Sequence, residues 1–225
     1  NLCCRNLNLF LYPYDVIRLK QFLGLTAGEF IDRYLEVVLR EGSHFPDVLL
    51  EMAPDDERTC PFLTAHGCSV YEDRPDTCRS FPIVQGRLLD DENGESRILY
   101  FFRPPDFCLG CFEPDEWTPR TWLTDQQAET YQLMTARWAG LKARFAVDPW
   151  GPEGPAGAKA KMAFMSAYNI DRFRQFVLQS SFAQRQHIPR KTLKKLASND
   201  IDLLQLGFEW IEFFVWGLAG PHLHR

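Results

Sequence analysis

The stretch from Cys60 to Pro82 reads CPFLTAHGCSVYEDRPDTCRSFP and sets three cysteines among Pro61, Gly67, Pro75 and Pro82. Backbone so rich in turn residues packs poorly by itself, because proline removes main-chain donors and glycine adds conformational freedom that folding must overcome. Something other than a ladder of main-chain hydrogen bonds has to hold it. A metal bound by the three thiols would supply that cross-link, and its binding energy would then be folding energy. This part of the chain therefore reads as an irregular, cysteine-rich metal-binding core.

Around that core the sequence reads as helical. Upstream, Val16, Leu19 and Leu23 recur at helical spacing until Gly24 offers a stop. Thr26 and Glu29 form a capping box for a second helix, whose apolar face of Phe30, Ile31, Tyr34, Leu35, Val38 and Leu39 predicts that it runs to about Gly42. Val48-Leu49-Leu50 is a short strand candidate. Downstream, apolar runs around Leu88 and around Ile98 to Phe101 flank Asn93-Gly94 and predict a β-hairpin. Thr124 and Gln127 predict another capping box, opening a helix through about Phe145 with Tyr131, Met134, Trp138 and Leu141 on one face. The glycine- and proline-rich run that follows predicts a linker, and beyond it Ile170 to Gln179, Arg190 to Ala197 and Asp200 to Trp216 read as helices. The fold class expected is mainly α with a small β-hairpin. Its expected organisation is a cysteine-cluster metal-binding domain over 1–147, a linker over 148–157 and a helical C-terminal extension over 158–225 that packs on the first domain.

The chain has 225 residues, 45% of them hydrophobic, which is enough for a core that needs no staples merely to form. Its net charge of -5 lacks the basic balance that draws a nucleic-acid backbone or an anionic membrane, so neither partner is expected. The most apolar segment, Phe208 to Leu218, contains Glu209 and Glu212 and falls short of the ~20 residues a membrane span needs. Residue 1 is Asn rather than Met, which suggests that the first residues are missing. A cytoplasmic location is expected, because seven cysteines, an odd number, in a chain of this kind fit ligation better than a secreted disulfide framework.

The cysteines fall as Cys3-Cys4, then Cys60, Cys68 and Cys78, then Cys108-x2-Cys111, and the 114 residues after Cys111 contain none. Thiolates are soft donors that select zinc or iron-sulfur iron over magnesium and calcium. Four of them satisfy either zinc or a cubane 4Fe-4S cluster. The plain alternative is a set of small buried hydrophobes, which the turn-rich surroundings of the cysteines disfavour. His44 and His66 are the histidines near the cysteines, and each reads as a turn residue rather than a ligand. Pro221-His222-Leu223-His224 reads as a frayed end. Trp210, Phe213, Phe214 and Trp216 read as core or as an oligomer contact.

Three fragments together carry a family pattern: Cys60-Pro61-Phe62-Leu63; Cys68-Ser69-Val70-Tyr71; and Arg74-Pro75 followed by Cys78-Arg79-Ser80-Phe81-Pro82. The sequence resembles the YkgJ-type cysteine-cluster proteins, described as zinc- or iron-chelating, over residues 1 to about 111. The resemblance makes Cys3-Cys4 the surviving end of a longer cysteine run and matches Asp15-Val16-Ile17-Arg18-Leu19 to the helix that follows it. The segment from Tyr168 is similar to the helical extension of longer members. It implies Cys60, Cys68 and Cys78 as primary ligands, Cys4 as the fourth and Cys108 as its rival; Cys3, and Cys111 where many relatives have no second cysteine, are further metal candidates. Arg79 is implied either at a cluster sulfide or in a salt bridge to Asp73 or Asp76, and Arg74 as a loop fastener. The expected cofactor is an iron-sulfur cluster of the 4Fe-4S type, or zinc. The expected role is electron transfer or a redox step with a redox partner, or else a zinc-stabilised scaffold for a protein partner. Flagellin lysine methylases are among the relatives, which leaves a modification enzyme as a further alternative; no Gly-rich nucleotide loop supports that activity here.

Overall fold

The computed structural model describes residues 2–89 and 96–223. Among these the chain is mainly α, with helices α1 (Pro13–Phe22), α2 (Ala27–Tyr34), α3 (Asp76–Ser80), α4 (Pro119–Asp125), α5 (Glu129–Ala143), α6 (Ala158–Tyr168), α7 (Ile170–Gln179), α8 (Phe182–Arg185), α9 (Arg190–Ser198) and α10 (Asp200–Trp216). Three small antiparallel sheets accompany them, pairing β1 (Leu35–Val38) with β2 (Asp47–Leu50), β3 (Leu63–Thr64) with β4 (Gly67–Cys68), and β5 (Ile83–Leu89) with β6 (Ser96–Phe102). The expected hairpin is β5–β6; its Asn93-Gly94 turn lies outside the described residues. No helix among them is long and apolar enough to cross a membrane.

The first two helices form for the reasons the sequence gives. Pro13 occupies the first turn of α1, where a missing N–H costs nothing, and the Asp15 carboxylate accepts the Tyr12 N–H at 2.8 Å. Gly24, at φ +67°, lets the chain turn away afterwards. The Thr26 hydroxyl accepts the Glu29 N–H at 3.2 Å, and Glu29 returns a bond to the Thr26 N–H at 2.8 Å. α2 does not continue to Gly42. It stops at Tyr34, and Leu35–Val38 becomes a strand with Leu35 opposite Leu50 and Val37 opposite Val48. Two adjacent β-branched residues and a strand waiting to be paired outweigh the helical spacing that Leu35, Val38 and Leu39 share. The segment before α1 joins the same sheet through Leu11 N–H to the Val48 carbonyl and Leu50 N–H to the Leu9 carbonyl, each at 2.9 Å.

The helix expected from Thr124 also differs. The capping box forms earlier, at Thr118 and Thr121, and opens α4; the chain breaks at Gln127, φ +52°, before α5 begins at Glu129. The Thr124 hydroxyl donates to the Glu129 carboxylate instead of capping a helix of its own.

One hydrophobic core joins both halves of the chain. Trp138 of α5 is fully buried, stacking on Phe208 of α10 and meeting Phe45 and Tyr168 edge-on. α10 lies against α6 so closely that Gly207 faces the Ser166 carbonyl with no room for a Cβ. Within the stretch expected as a linker, Trp150 is buried, stacks on Phe145 and donates its indole N–H to the His44 carbonyl. Lys20 of α1 is buried and reaches across to Asp171 of α7 at 2.9 Å and to Asp200 of α10 at 3.4 Å. Asp171 also accepts the Ala27 N–H at 2.7 Å, fastening the start of α2 to the same point. The segment expected to fray is held over its described residues, which end at Leu223: Leu223 is fully buried, its carbonyl accepts the Gly220 N–H, and the His222 N–H donates to the buried Glu209.

Candidate metal centre

Local main-chain pairing brings the N-terminal cysteines to Cys60. The Cys60 N–H donates to the Cys4 carbonyl at 2.9 Å, and Arg5 forms an antiparallel bridge with Thr59. Cys60 then opens a tight hairpin in which its carbonyl accepts the Leu63 N–H at 2.9 Å and Leu63 lies opposite Cys68. Gly67, at φ +111°, supplies a turn conformation that a side chain would resist. Phe62, buried beneath, and the bond from Ser69 N–H to its carbonyl at 2.8 Å fix the hairpin to the core. Cys78 sits in α3, and Cys60, Cys68 and Cys78 all pack against the edge of the core.

α3 is short and needs outside support. Asp15, buried in α1, accepts the Asp76 N–H at 2.9 Å with one oxygen and the Tyr12 N–H with the other, so one carboxylate joins the start of α1 to the start of α3. Arg79 is buried and donates to the carbonyls of Arg74 (3.0 Å), Gln126 (2.8 Å) and Glu72, and to the Tyr131 hydroxyl, with its guanidinium 4.3 Å from the Tyr131 ring centre. Those contacts direct it at main chain, and among the described residues it makes no salt bridge to Asp73 or Asp76. Asp73 pairs with Arg18 instead. Arg74 fastens the same loop, through the Tyr71 carbonyl and ring and through Gln126. The supporting roles of Asp76, Gln126 and Tyr131 carry no signal in the cysteine spacing. Asp15 is marked in the sequence by its place in the family pattern and as an acid in the first turn after a proline, and neither tells of its bond to Asp76.

The five thiols feel one another electrostatically. Cys3 and Cys4 share a hydrogen bond that lowers the Cys3 thiol to about 6 and holds the Cys4 proton far more tightly, with the nearby sulfurs of Cys60 and Cys78 adding to the hold. Burial pushes Cys60 up, with Cys68 and Cys3 adding to it. Burial also pushes Cys78 up, helped by Cys60, Asp15, Cys3 and Cys68. Two buried carboxyls lie at the same place: burial raises Asp15 to about 7, aided by Asp76, and burial raises Asp76 to about 6. One oxygen of Asp76, Oδ1, has no hydrogen-bond partner among the described residues. A set of partly buried sulfurs that repel one another as thiolates is a donor set that a soft cation relieves. Among the described residues no three Cys, His, Asp or Glu side chains are already closed on a common point. The donors are gathered, and a metal would have to draw them in.

Cys108 and Cys111 form a separate pair. They lie at a 3-10 turn, Leu109–Phe112, with the Cys111 N–H donating to the Cys108 carbonyl at 3.3 Å and their thiols hydrogen-bonded to each other. Both line a groove of about 620 Å³ whose other walls include Phe81, Tyr100, Phe102, Trp117 and Trp122. His66 is an exposed turn residue whose N–H donates to the Thr64 hydroxyl, and the His222 ring contacts Glu209.

No curated protein and no solved structure matches the chain. Residues 1–109 match the family described as "CxxCxxCC: Putative zinc- or iron-chelating domain". The match covers the gathered thiols and Cys108, so the cysteine-bearing part of the chain is similar to that cysteine-cluster family.

Proposed function

We propose that this protein holds an iron-sulfur cluster of the 4Fe-4S type through Cys60, Cys68, Cys78 and Cys4, with Cys3 beside them, and serves a redox step. The observation that supports this reading is that thiols from three separate segments, at 3–4, at 60 and 68, and at 78, are near enough to perturb one another, with Cys60, Cys68 and Cys78 packed against the core. Thiolate donors suit iron-sulfur iron, and four of them complete a cubane. When bound, the cluster supplies one-electron chemistry. The chain's own contribution is to present the ligands and shield them: the Cys4–Cys60 pairing and the 60–68 hairpin set three of the ligand positions, and α3, held by Asp15 and Arg79, sets the fourth.

Arg79 has a further part in this reading. With its donors engaged by carbonyls, it keeps the loop between Glu72 and α3 at fixed shape while the sulfurs adjust to the metal. Anaerobic purification followed by a visible spectrum and iron, sulfide and zinc analysis tests the assignment. Expected are a brown protein with iron and acid-labile sulfide in equal amounts and loss of both when Cys60, Cys68 or Cys78 is replaced by Ser. A colourless protein with stoichiometric zinc and no iron overturns it in favour of a zinc-stabilised scaffold.

A further inference from the structure

The pair Cys108 and Cys111 is left over from the gathered thiols. They stand at the two ends of a four-residue turn closed by the Cys111 N–H donating to the Cys108 carbonyl at 3.3 Å, a spacing at which a disulfide closes locally. Cys108 is half-buried and Cys111 is exposed. Both border the groove of about 620 Å³, a volume that accepts a small-molecule-sized group. Its walls are mainly apolar, with Phe102 strongly exposed among the rings and Glu113 and Asp115 also in the lining, and the adjoining turn exposes Leu109 and Phe112. An accessible dithiol in an apolar cleft has what thiol–disulfide exchange requires: a reachable nucleophile, a second thiol within reach of the first, and walls that receive the flanks of the sulfur being attacked.

We propose that Cys108 and Cys111 are a dithiol–disulfide redox pair whose co-substrate is an organic disulfide with apolar flanks bound in this groove. One thiolate of the pair attacks a sulfur of the bound disulfide, forming a mixed disulfide and expelling the other half as a thiolate, which takes up the proton lost by the attacking thiol. The second cysteine of the pair then attacks its neighbour's sulfur, closes the Cys108–Cys111 bond and expels the remaining half as thiol. The co-substrate gains two electrons and two protons and leaves as two thiols; the pair loses the same and becomes a disulfide. These sulfurs are distinct from those assigned to the metal, so the site stands whichever metal is bound.

The test uses the purified, metal-loaded protein and 4,4′-dithiodipyridine, a small aromatic disulfide. Thiopyridone release, metal content and the mass of the peptide containing residues 108–111 are followed together, in wild type and in Cys108→Ser and Cys111→Ser. Expected for wild type are two thiopyridones released by this pair beyond the one that Cys3 can release, a peptide containing residues 108–111 two hydrogens lighter with no adduct, and no loss of metal. At least one serine variant should stop after one thiopyridone with a stable adduct on the remaining cysteine, and both variants should keep their metal. Two adducts without an internal disulfide, or a pair that reacts only after metal is stripped, overturns the proposal. Loss of metal from either serine variant also overturns it and makes these cysteines ligands. A colourless zinc protein that still closes the disulfide would sink the cluster assignment alone.

Discussion

Asp15 is the joint on which the placement of Cys78 turns, and replacing it with Ala has a cost that can be worked out. The substitution leaves the Tyr12 and Asp76 N–H groups, now bonded at 2.8 and 2.9 Å, without an acceptor in a buried place. An unpaired buried donor costs about 1–3 kcal/mol, so the pair costs roughly 2–6 kcal/mol. Against this stands the cost of ionising the carboxyl itself. Burial raises it from an ordinary 3.8 to about 7 in the folded protein. A raised folded value means that the proton-linked stabilisation is full below about 3.8 and is lost as the pH climbs through 7. At about 1.4 kcal/mol per unit, wild type gives up roughly 3 kcal/mol between about pH 5 and pH 8 that the alanine variant does not. The two effects are of similar size, so the variant should be clearly less stable near pH 5 and close to wild type near pH 8. Urea unfolding at the two pH values, read by tryptophan fluorescence, measures both differences. A gap that does not change with pH, or an undiminished midpoint at pH 5, would refute the account of Asp15 as a buried acceptor with a displaced titration.

Three further substitutions test the packing that carries the site. A Cβ at position 207 would stand 2.3 Å from the Ser166 carbonyl oxygen, so Gly207→Ala must push α10 from α6 and should cost at least about 1–3 kcal/mol; a thermal melt with an unchanged midpoint would deny the contact. Leu223→Ala empties a fully buried position and should cost about 2–5 kcal/mol in urea unfolding, whereas a loose tail would register nothing. Lys20→Met withdraws the cation that Asp171 and Asp200 share across the two halves. Arg174 still pairs with both acids, so the loss should lie toward the lower end of the ~3–5 kcal/mol typical of a broken buried pair, and pairing the change with Asp171→Asn in a double-mutant cycle should recover part of it.

The parts of the fold legible in the sequence were those where one local rule operates alone. The box at Thr26 and Glu29, the stop at Gly24 and the long apolar faces of α7 and α10 each depend on residues a few positions apart, and each formed where expected. The sequence misled where a distant partner decided. Leu35–Val38 has helical spacing, yet it pairs with Val48–Leu50, and spacing carries no record of that strand. Thr124 has the form of a cap, yet the chain had already started α4 from Thr118. Leu223 lies in a sequence that looks like a loose end, yet it fills a pocket whose walls come from elsewhere. At the site, spacing named the cysteines but not their grouping, since the separation of Cys108 and Cys111 from the others depends on where the β5–β6 hairpin delivers the chain. Arg79 shows the same limit from the other side: its place next to a ligand candidate carries no record of the carbonyls of Glu72, Arg74 and Gln126 that its guanidinium also meets.

The apolar sides of α1 and α2 lie against α5, α6, α7 and α10, so residues 1–109 have no private interior. A gene cut after Cys111 would therefore produce a polypeptide with Val16, Leu19 and Phe30 laid open to water, prone to clump in inclusion bodies whatever metal is in the medium. Anyone wishing to transplant the cysteine-bearing portion into another host protein has to graft its C-terminal scaffolding along with it.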